Sequence, residues 1–205
     1  MSDTGEADPP VIGILGGIAA GKTTVAKMLA ELGATTISAD EVAHEVLDKP
    51  AIRERVVARW GREVLDESGH VDRDRLARLV FGNPEELAAL EAITHPAIVA
   101  ELRERVAAAR RSPETAAVVV DAPLLVEAEL DGACDVLVFV DCPREVRLAR
   151  ALERGWDAEE LDRRESHQSS LETKRQRARF IIDGNCPPET TFQQVQQLWQ
   201  NLLAQ

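Results

Sequence analysis

Cysteine is scarce in this chain: Cys134, Cys142 and Cys186 are the only three in 205 residues. An odd count builds no complete disulfide framework, and the spacing matches no metal-ligand pattern. A reduced, cytoplasmic setting is therefore expected. Long hydrophobic runs are missing too. No stretch approaches the ~20 apolar residues that cross a bilayer, and the first residues lack the apolar core of a signal peptide. No membrane partner is expected. Met1–Pro10 is small, acidic and ends in two prolines, so it reads as a flexible tail. Positive charge is the third shortage. With 24 Lys+Arg against 36 Asp+Glu the net charge is −12, which argues against nucleic acid as a partner. Internal repeats and low-complexity tracts are also absent, which excludes a stacked-repeat architecture.

What is present is an ordinary globular composition, 44% hydrophobic and 29% charged. The chain is long enough for one sizeable core with inserted subdomains. One stretch carries chemistry. Gly16-Gly17-Ile18-Ala19-Ala20-Gly21-Lys22-Thr23 fits the pattern glycine, any four residues, Gly-Lys-Ser/Thr. The apolar run Val11–Leu15 precedes it and reads as a buried strand. Val25, Met28, Leu29 and Leu32 follow at helical spacing. That strand before and helix after separate a phosphate-binding loop from a chance match. Glycines let the backbone turn and aim several N–H groups into one concavity. The helix N-terminus adds partial positive charge there. Gly17, Ile18, Ala19, Ala20, Gly21, Lys22, Thr23 and Thr24 are thus the candidate ATP contacts. Lys22 can reach the β- and γ-phosphates, and the Thr23 hydroxyl can ligate Mg2+.

Gly33 is a natural stop for the first helix. Thr35–Ser38 reads as a second strand ending at Ala39-Asp40. Asp40 then sits at a strand's carboxyl end, the edge where open α/β sheets bind ligands. Val42, Val46 and Leu47 suggest a helix that Pro50 breaks. Residues 51–111 are helical by pattern. Ile52, Val56 and Val57 mark one helix, and Leu76, Leu79 and Val80 another. Asn83-Pro84 opens a third, with Asn83 as its cap, and Pro96 should kink or break it. Strand character returns at Ala117–Asp121 and most strongly at Asp135–Asp141. Runs this uniformly apolar suit a parallel sheet covered on both faces. Beyond Pro143 the chain is helical again, with Leu148 and Leu152 as an apolar stripe and Ser169-x-x-Glu172 as a capping box. Arg144–Arg179 holds ten Lys+Arg against eight Asp+Glu, a net +2 that leaves −14 for the remainder. Phe180–Asp183 is the last strand. Thr190-x-x-Gln193 should cap a final helix bearing Val195, Leu198, Trp199 and Leu202. Strands alternating with helices after such a loop indicate an α/β fold of the P-loop kinase-like class.

Several further stretches narrow the class: Ala39-Asp40, Gly69–Arg73, Phe81, Ile93–Pro96, Asp121–Glu127 and Lys174–Asp183. With Ile12–Ala26 they follow the order and spacing of bacterial dephospho-coenzyme A kinases, and the chain resembles that family from about Val11 to Leu203. Many families share the loop. Pro-Leu-Leu-x-Glu at 123–127 combined with Thr94-His95-Pro96 is far more specific. The resemblance implies transfer of the γ-phosphoryl group of ATP to the ribose 3′-hydroxyl of dephospho-CoA, the last step of coenzyme A synthesis. ATP and dephospho-CoA are the implied partners and Mg2+ the implied cofactor. A three-layer fold with a five-stranded parallel sheet is expected. The implied parts are a nucleotide-binding core (11–40, 112–142 and 180–205), a helical acceptor domain (41–111) and a helical lid (143–179). No oligomeric state follows.

On this resemblance Asp40 matches the base proposed for the ribose hydroxyl, while the same side chain also suits a helix N-cap. Asp121 either acts through the water shell of Mg2+ or caps the next helix. Arg154 and Arg164, with Arg150, are candidate lid contacts to phosphate or adenine, against a reading as surface charge. Lys174 matches a family lysine and equally suits a helix surface. His95 and Glu127 fall on the acceptor side, or serve as a structural hydrogen-bonder and a surface acid. Departures from the family pattern are Ala19 and Ala20 for Gly and Ser, His44 for an acceptor-side Arg, Arg179 for Asp and Gly184 for Asn. Two other readings stay open. One is a P-loop kinase with a different acceptor, which His44 keeps alive. The other is a nucleotide-binding switch without turnover, against which Lys22, Thr23 and Asp40 together argue.

Overall fold

A computed structural model describes residues 8–80, 82–122, 125–127, 130–166 and 168–204. Phe81, Pro123 and Leu124 of the family-specific stretches lie outside the described residues.

Apolar strands decide the architecture. They are β1 (Val11–Gly16), β2 (Ala34–Ser38), β3 (Ala117–Asp121), β4 (Val136–Asp141) and β5 (Phe180–Asp183). All pair in parallel, in the order β2-β3-β1-β4-β5. β1 is central and buried along its whole length, as a strand covered on both faces must be. Helices α1 (Lys22–Glu31) and α9 (Pro188–Leu203) pack together. Between them and the sheet lies a core of Ile12, Ile14, Val119, Val138 and Val140 with Val25, Leu29, Val195, Leu198 and Trp199. Each such side chain contributes about 1.5–3 kcal/mol when fully buried. The register brings Asp121 level with Ile14 and Ser38, and Asp141 level with Asp183. Acids therefore line the carboxyl edge of the sheet, beside the end of β1.

The chain divides into two compact units, residues 39–104 and the remainder. The smaller holds α2 (Ala39–Asp48), α3 (Pro50–Trp60), α4 (Arg73–Val80) and most of α5 (Pro84–Arg110). Val42, Val46, Ile52, Val56, Leu76 and Val80 are buried. The Trp60 indole donates to Glu86 at 2.7 Å, and Arg59 donates twice to the same carboxylate at 2.8 and 3.1 Å. Asn83 caps α5 as expected, accepting from Glu85 N at 3.0 Å. The larger unit adds α6 (Arg144–Glu153), α7 (Ala158–Glu165) and α8 (Leu171–Arg177). Among the described residues no helix is long and apolar enough to cross a membrane, and the three cysteines are free thiols.

Several local expectations need correction. α5 runs through Pro96 without a break. Proline removes one backbone donor, and the rest of this 27-residue helix outweighs that loss. Leu79 is exposed on α4. On α6 the buried residues are Arg147 and Ala151, while Leu152 is 57% exposed. α8 is capped by Ser170, which accepts from Thr173 N at 3.0 Å, one residue later than the Ser169 box. α9 starts at Pro188, so Thr190 lies inside it.

β5 ends against the glycine loop at Gly184, whose N–H donates to Asp141 O at 2.7 Å. A β-carbon at Gly184 would lie 2.5 Å from Ala20 O and 2.8 Å from a Val140 methyl. Overpacking of this kind costs about 1–3 kcal/mol. Gly184→Ala is therefore expected to lower the melting temperature by several degrees in a thermal unfolding scan. An unchanged melting temperature would show that the strand end and the loop part freely.

Candidate active site

The loop between β1 and α1 is built as its glycines dictate. Gly21 caps α1 in the left-handed region (φ 105°, ψ 18°), and Ala20 N donates to Gly17 O at 3.2 Å. Ala19 has φ 59°, the one positive φ of a non-glycine among the described residues. An L-residue pays roughly 1–2 kcal/mol for that conformation. Lys22 folds back over the loop, and its Nζ donates to Gly16 O at 3.1 Å and Gly17 O at 2.8 Å. Burial lowers the Lys22 pKa to about 8, with further lowering from the charges of Lys174, Arg147 and Arg154, which Asp121 partly offsets. Thr23 and Thr24 are exposed. The Thr23 hydroxyl donates to Asp121 Oδ2 at 2.9 Å. Lys22 is thus electrostatically coupled to Asp121 and Arg154, and Thr23 is hydrogen-bonded to the same Asp121.

Around the loop stands a group of residues that the sequence reading mostly missed. Arg147 is 3% exposed. Its Nε donates to Cys142 O at 3.1 Å, its Nη1 reaches Ile18 O at 3.5 Å, and it pairs with Glu165. Arg150 Nη1 donates to Ala19 O and Ala20 O, both at 3.3 Å, and its Nη2 donates to Gly184 O at 2.9 Å. The available signal was spacing: Arg147, Arg150 and Arg154 stand at i, i+3 and i+7, one face of a helix. Arg154 is the exposed C-terminal cap of α6. Arg164 goes elsewhere: its Nε donates to Glu160 at 2.6 Å and its guanidinium lies 4.1 Å above the Trp156 ring.

Lys174 is not a surface lysine. It is 1% exposed, donates to Gln168 at 2.9 Å and lies 3.1 Å from Glu127. Glu127 also accepts from Ser169 N. Burial opposes its charge, but hydrogen bonds from its own amide and that of Ser169, together with Lys174, outweigh burial and hold the carboxyl below its usual range. Glu127 is therefore engaged with a buried ammonium rather than lying on a surface as an isolated acid.

The remaining candidates belong to the smaller unit. Asp40 is exposed in the first turn of α2, inside the helix rather than capping it. His44 Nδ1 lies 3.2 Å from an Arg73 guanidinium nitrogen. Arginine only donates, so Nδ1 is the accepting side of this contact. Arg73 supplies at this place the fixed positive charge that His44 lacks. His95 is partly buried within α5.

Comparison with known proteins identifies the family. The pattern of the Dephospho-CoA kinase family matches residues 10–188. The dephospho-CoA kinase of Geobacter metallireducens is 43% identical over 191 residues, covering 92% of this chain and 94% of that protein. The solved structure of TT1252 from Thermus thermophilus is similar with a TM-score of 0.79 at 32% identity, covering 95% of this chain and 98% of that one. The dephospho-CoA kinase from Campylobacter jejuni gives 0.73 at 27% identity, covering 95% and 97%. Matched over nearly its whole length in sequence and in fold, the chain belongs to the dephospho-CoA kinase family.

Proposed function

We propose that the protein transfers the γ-phosphoryl group of ATP to the ribose 3′-hydroxyl of dephospho-CoA, giving CoA and ADP. The observation that carries this reading is the cluster at the end of β1. There Lys22, the glycine loop it folds over and the Thr23–Asp121 pair meet at the carboxyl edge of a parallel sheet. Phosphoryl transfer asks a protein mainly for positioning and charge neutralisation, and this cluster supplies both. The Thr23 hydroxyl and the Asp121 carboxylate are oxygen donors within 2.9 Å of each other, a set that suits a hard divalent cation. They would hold Mg2+, which neutralises charge on the β- and γ-phosphate oxygens when bound.

Asp40 is the base in this reading. It follows Ser38, which is level with Asp121, by two residues. Its carboxylate takes the 3′-hydroxyl proton as the oxygen bonds to the γ-phosphorus and ADP leaves. Arg154 adds positive charge near Lys22. Residues 41–111 receive the acceptor, with His44 and His95 among its contacts, and 143–179 act as the lid, with Arg164 reaching nucleotide after release from Glu160. The reaction is placed in the cytoplasm, a setting that suits the three free thiols.

A coupled ADP-release assay across dephospho-CoA, adenosine, AMP and pantetheine phosphate tests the reading. Turnover is expected with dephospho-CoA alone. Preference for another member of the panel would assign a different acceptor, and ATP binding without ADP release would assign a switch.

Asp40→Asn isolates the base. The variant should lose about 10²–10⁴-fold in kcat. ATP affinity and melting temperature should hardly move, because Asp40 neither caps α2 nor belongs to the loop. Retained turnover would remove Asp40 from the chemistry.

Lys22 gives a pH test. With its free-protein pKa near 8, the side chain is mostly neutral at about pH 9 and mostly charged at about pH 6.5. Bound phosphate favours the charged form and raises the pKa. ATP binding should therefore take up close to one proton at about pH 9 and little at about pH 6.5. Calorimetry in buffers of different ionisation enthalpy reads this directly. No uptake at the higher pH would place the Lys22 ammonium away from the phosphates.

A further inference from the structure

The proposed mechanism gives Arg147 and Arg150 no task, and it does not explain an alanine held at positive φ. These observations meet in one place. A trans peptide is planar, so the C=O of one residue points opposite to the N–H of the next. A phosphate-binding loop works by aiming successive N–H groups into its concavity. Whatever fixes the carbonyls outward therefore fixes the amides inward. The carbonyls in question are those of Ile18, Ala19 and Ala20, and they meet Arg147 and Arg150.

We propose that Arg150, backed by Arg147, is a positioning residue that holds the loop in its binding shape before nucleotide arrives. Arg150 clamps the Ala19 and Ala20 carbonyls with one nitrogen and the Gly184 carbonyl with the other. This turns the Gly21 N–H inward, supports the turn closed by Ala20 N and Gly17 O, and keeps Ala19 at φ 59°. Glycine would take that conformation freely, whereas the alanine side chain opposes it. The guanidinium offsets this opposition through its rigid fork, which joins the loop to the end of β5. Arg147, buried beneath Ile18 and fixed by Cys142 O and Glu165, extends the same support by one residue. Charge alone does not suffice, because a lysine ammonium lacks the planar fork.

The inference rests on the reading of this loop as the ATP site, and the test separates the two. Arg150→Lys keeps the charge and loses the fork. In the ligand-free protein, hydrogen exchange of the amides of residues 18–21 should speed up about tenfold, and ATP should bind about tenfold more weakly, since only the pre-shaped fraction is competent. Adding Ala19→Gly removes the strain that the fork opposes. In that background Arg150→Lys should change both quantities by less than about threefold. Arg150→Ala, read through the same cycle, serves if the lysine variant does not fold. Equal losses with and without Ala19→Gly would overturn the proposal and make Arg150 a direct nucleotide contact. Unchanged exchange in Arg150→Lys would overturn it too. Should the unsubstituted protein fail to bind ATP, the proposed function falls, and exchange in the ligand-free protein still decides the role of Arg150.

Discussion

Mutual repulsion among cations gathered at one backbone loop is the constraint on which the larger unit depends. Burial first, and then the charges of Lys174, Arg147 and Arg154, disfavour the Lys22 ammonium, with Asp121 opposing them. The buried members of such a group persist in the free protein only if each has an acceptor of its own, while the exposed Arg154 faces water. Lys22 has the Gly16 and Gly17 carbonyls, Arg147 has Cys142 O and Glu165, and Lys174 has Glu127 and Gln168. These acceptors come from β1, β4, α7 and the segments around them, so the fold is organised to hold the charge. The protein as a whole carries −12. The positive field is therefore local, and an anion of nucleotide size is favoured over a long polyanion.

Much of this was legible in the residues, because two patterns carry direct physical meaning. Uniformly apolar runs at Val11–Leu15 and Val136–Val140 suit strands of a sheet covered on both faces, and β1 and β4 are such strands. The loop motif defines its own flanks, and the Thr23–Asp121 contact joins two residues chosen from sequence alone. What failed was the reading of amphipathic helices whose buried face is charged. Periodicity assigns Leu148 and Leu152 to the core of α6, but the helix turns Arg147 inward because loop carbonyls are there to receive it. Lys174 escaped for the same reason. Its burial depends on Glu127 and Gln168, residues 47 and 6 positions away, and no local pattern encodes that meeting.

Asp40 and Pro96 show a milder limit. An acid after a strand suits a cap as well as a base, and proline suits a kink or a break. α2 begins one residue before Asp40, and α5 continues past Pro96. In each case the backbone state was decided by neighbouring turns. His44 teaches the complementary point. Taken alone it marks a lost positive charge. In the structure its ring accepts from Arg73, 29 residues on, so the charge stands on a neighbour.

The departures at Ala19, Ala20 and Gly184 are best understood as one unit. Alanines stiffen the loop, and the loop holds Ala19 at a positive φ that its side chain opposes. Ala20 O then approaches the end of β5 so closely that a β-carbon at 184 would sit 2.5 Å away. A residue with a side chain at 184 would push against the loop and lose the space that Gly184 leaves. With glycine there, the Gly184 carbonyl is free to take the second arm of Arg150 while the first arm holds the two alanines. Stiffness in the loop, absence of a side chain on β5 and a fork between them are therefore mutually dependent. Residues that share a partner in this way do not contribute independently. The consequences of changing any one of them are set by whether the other two remain.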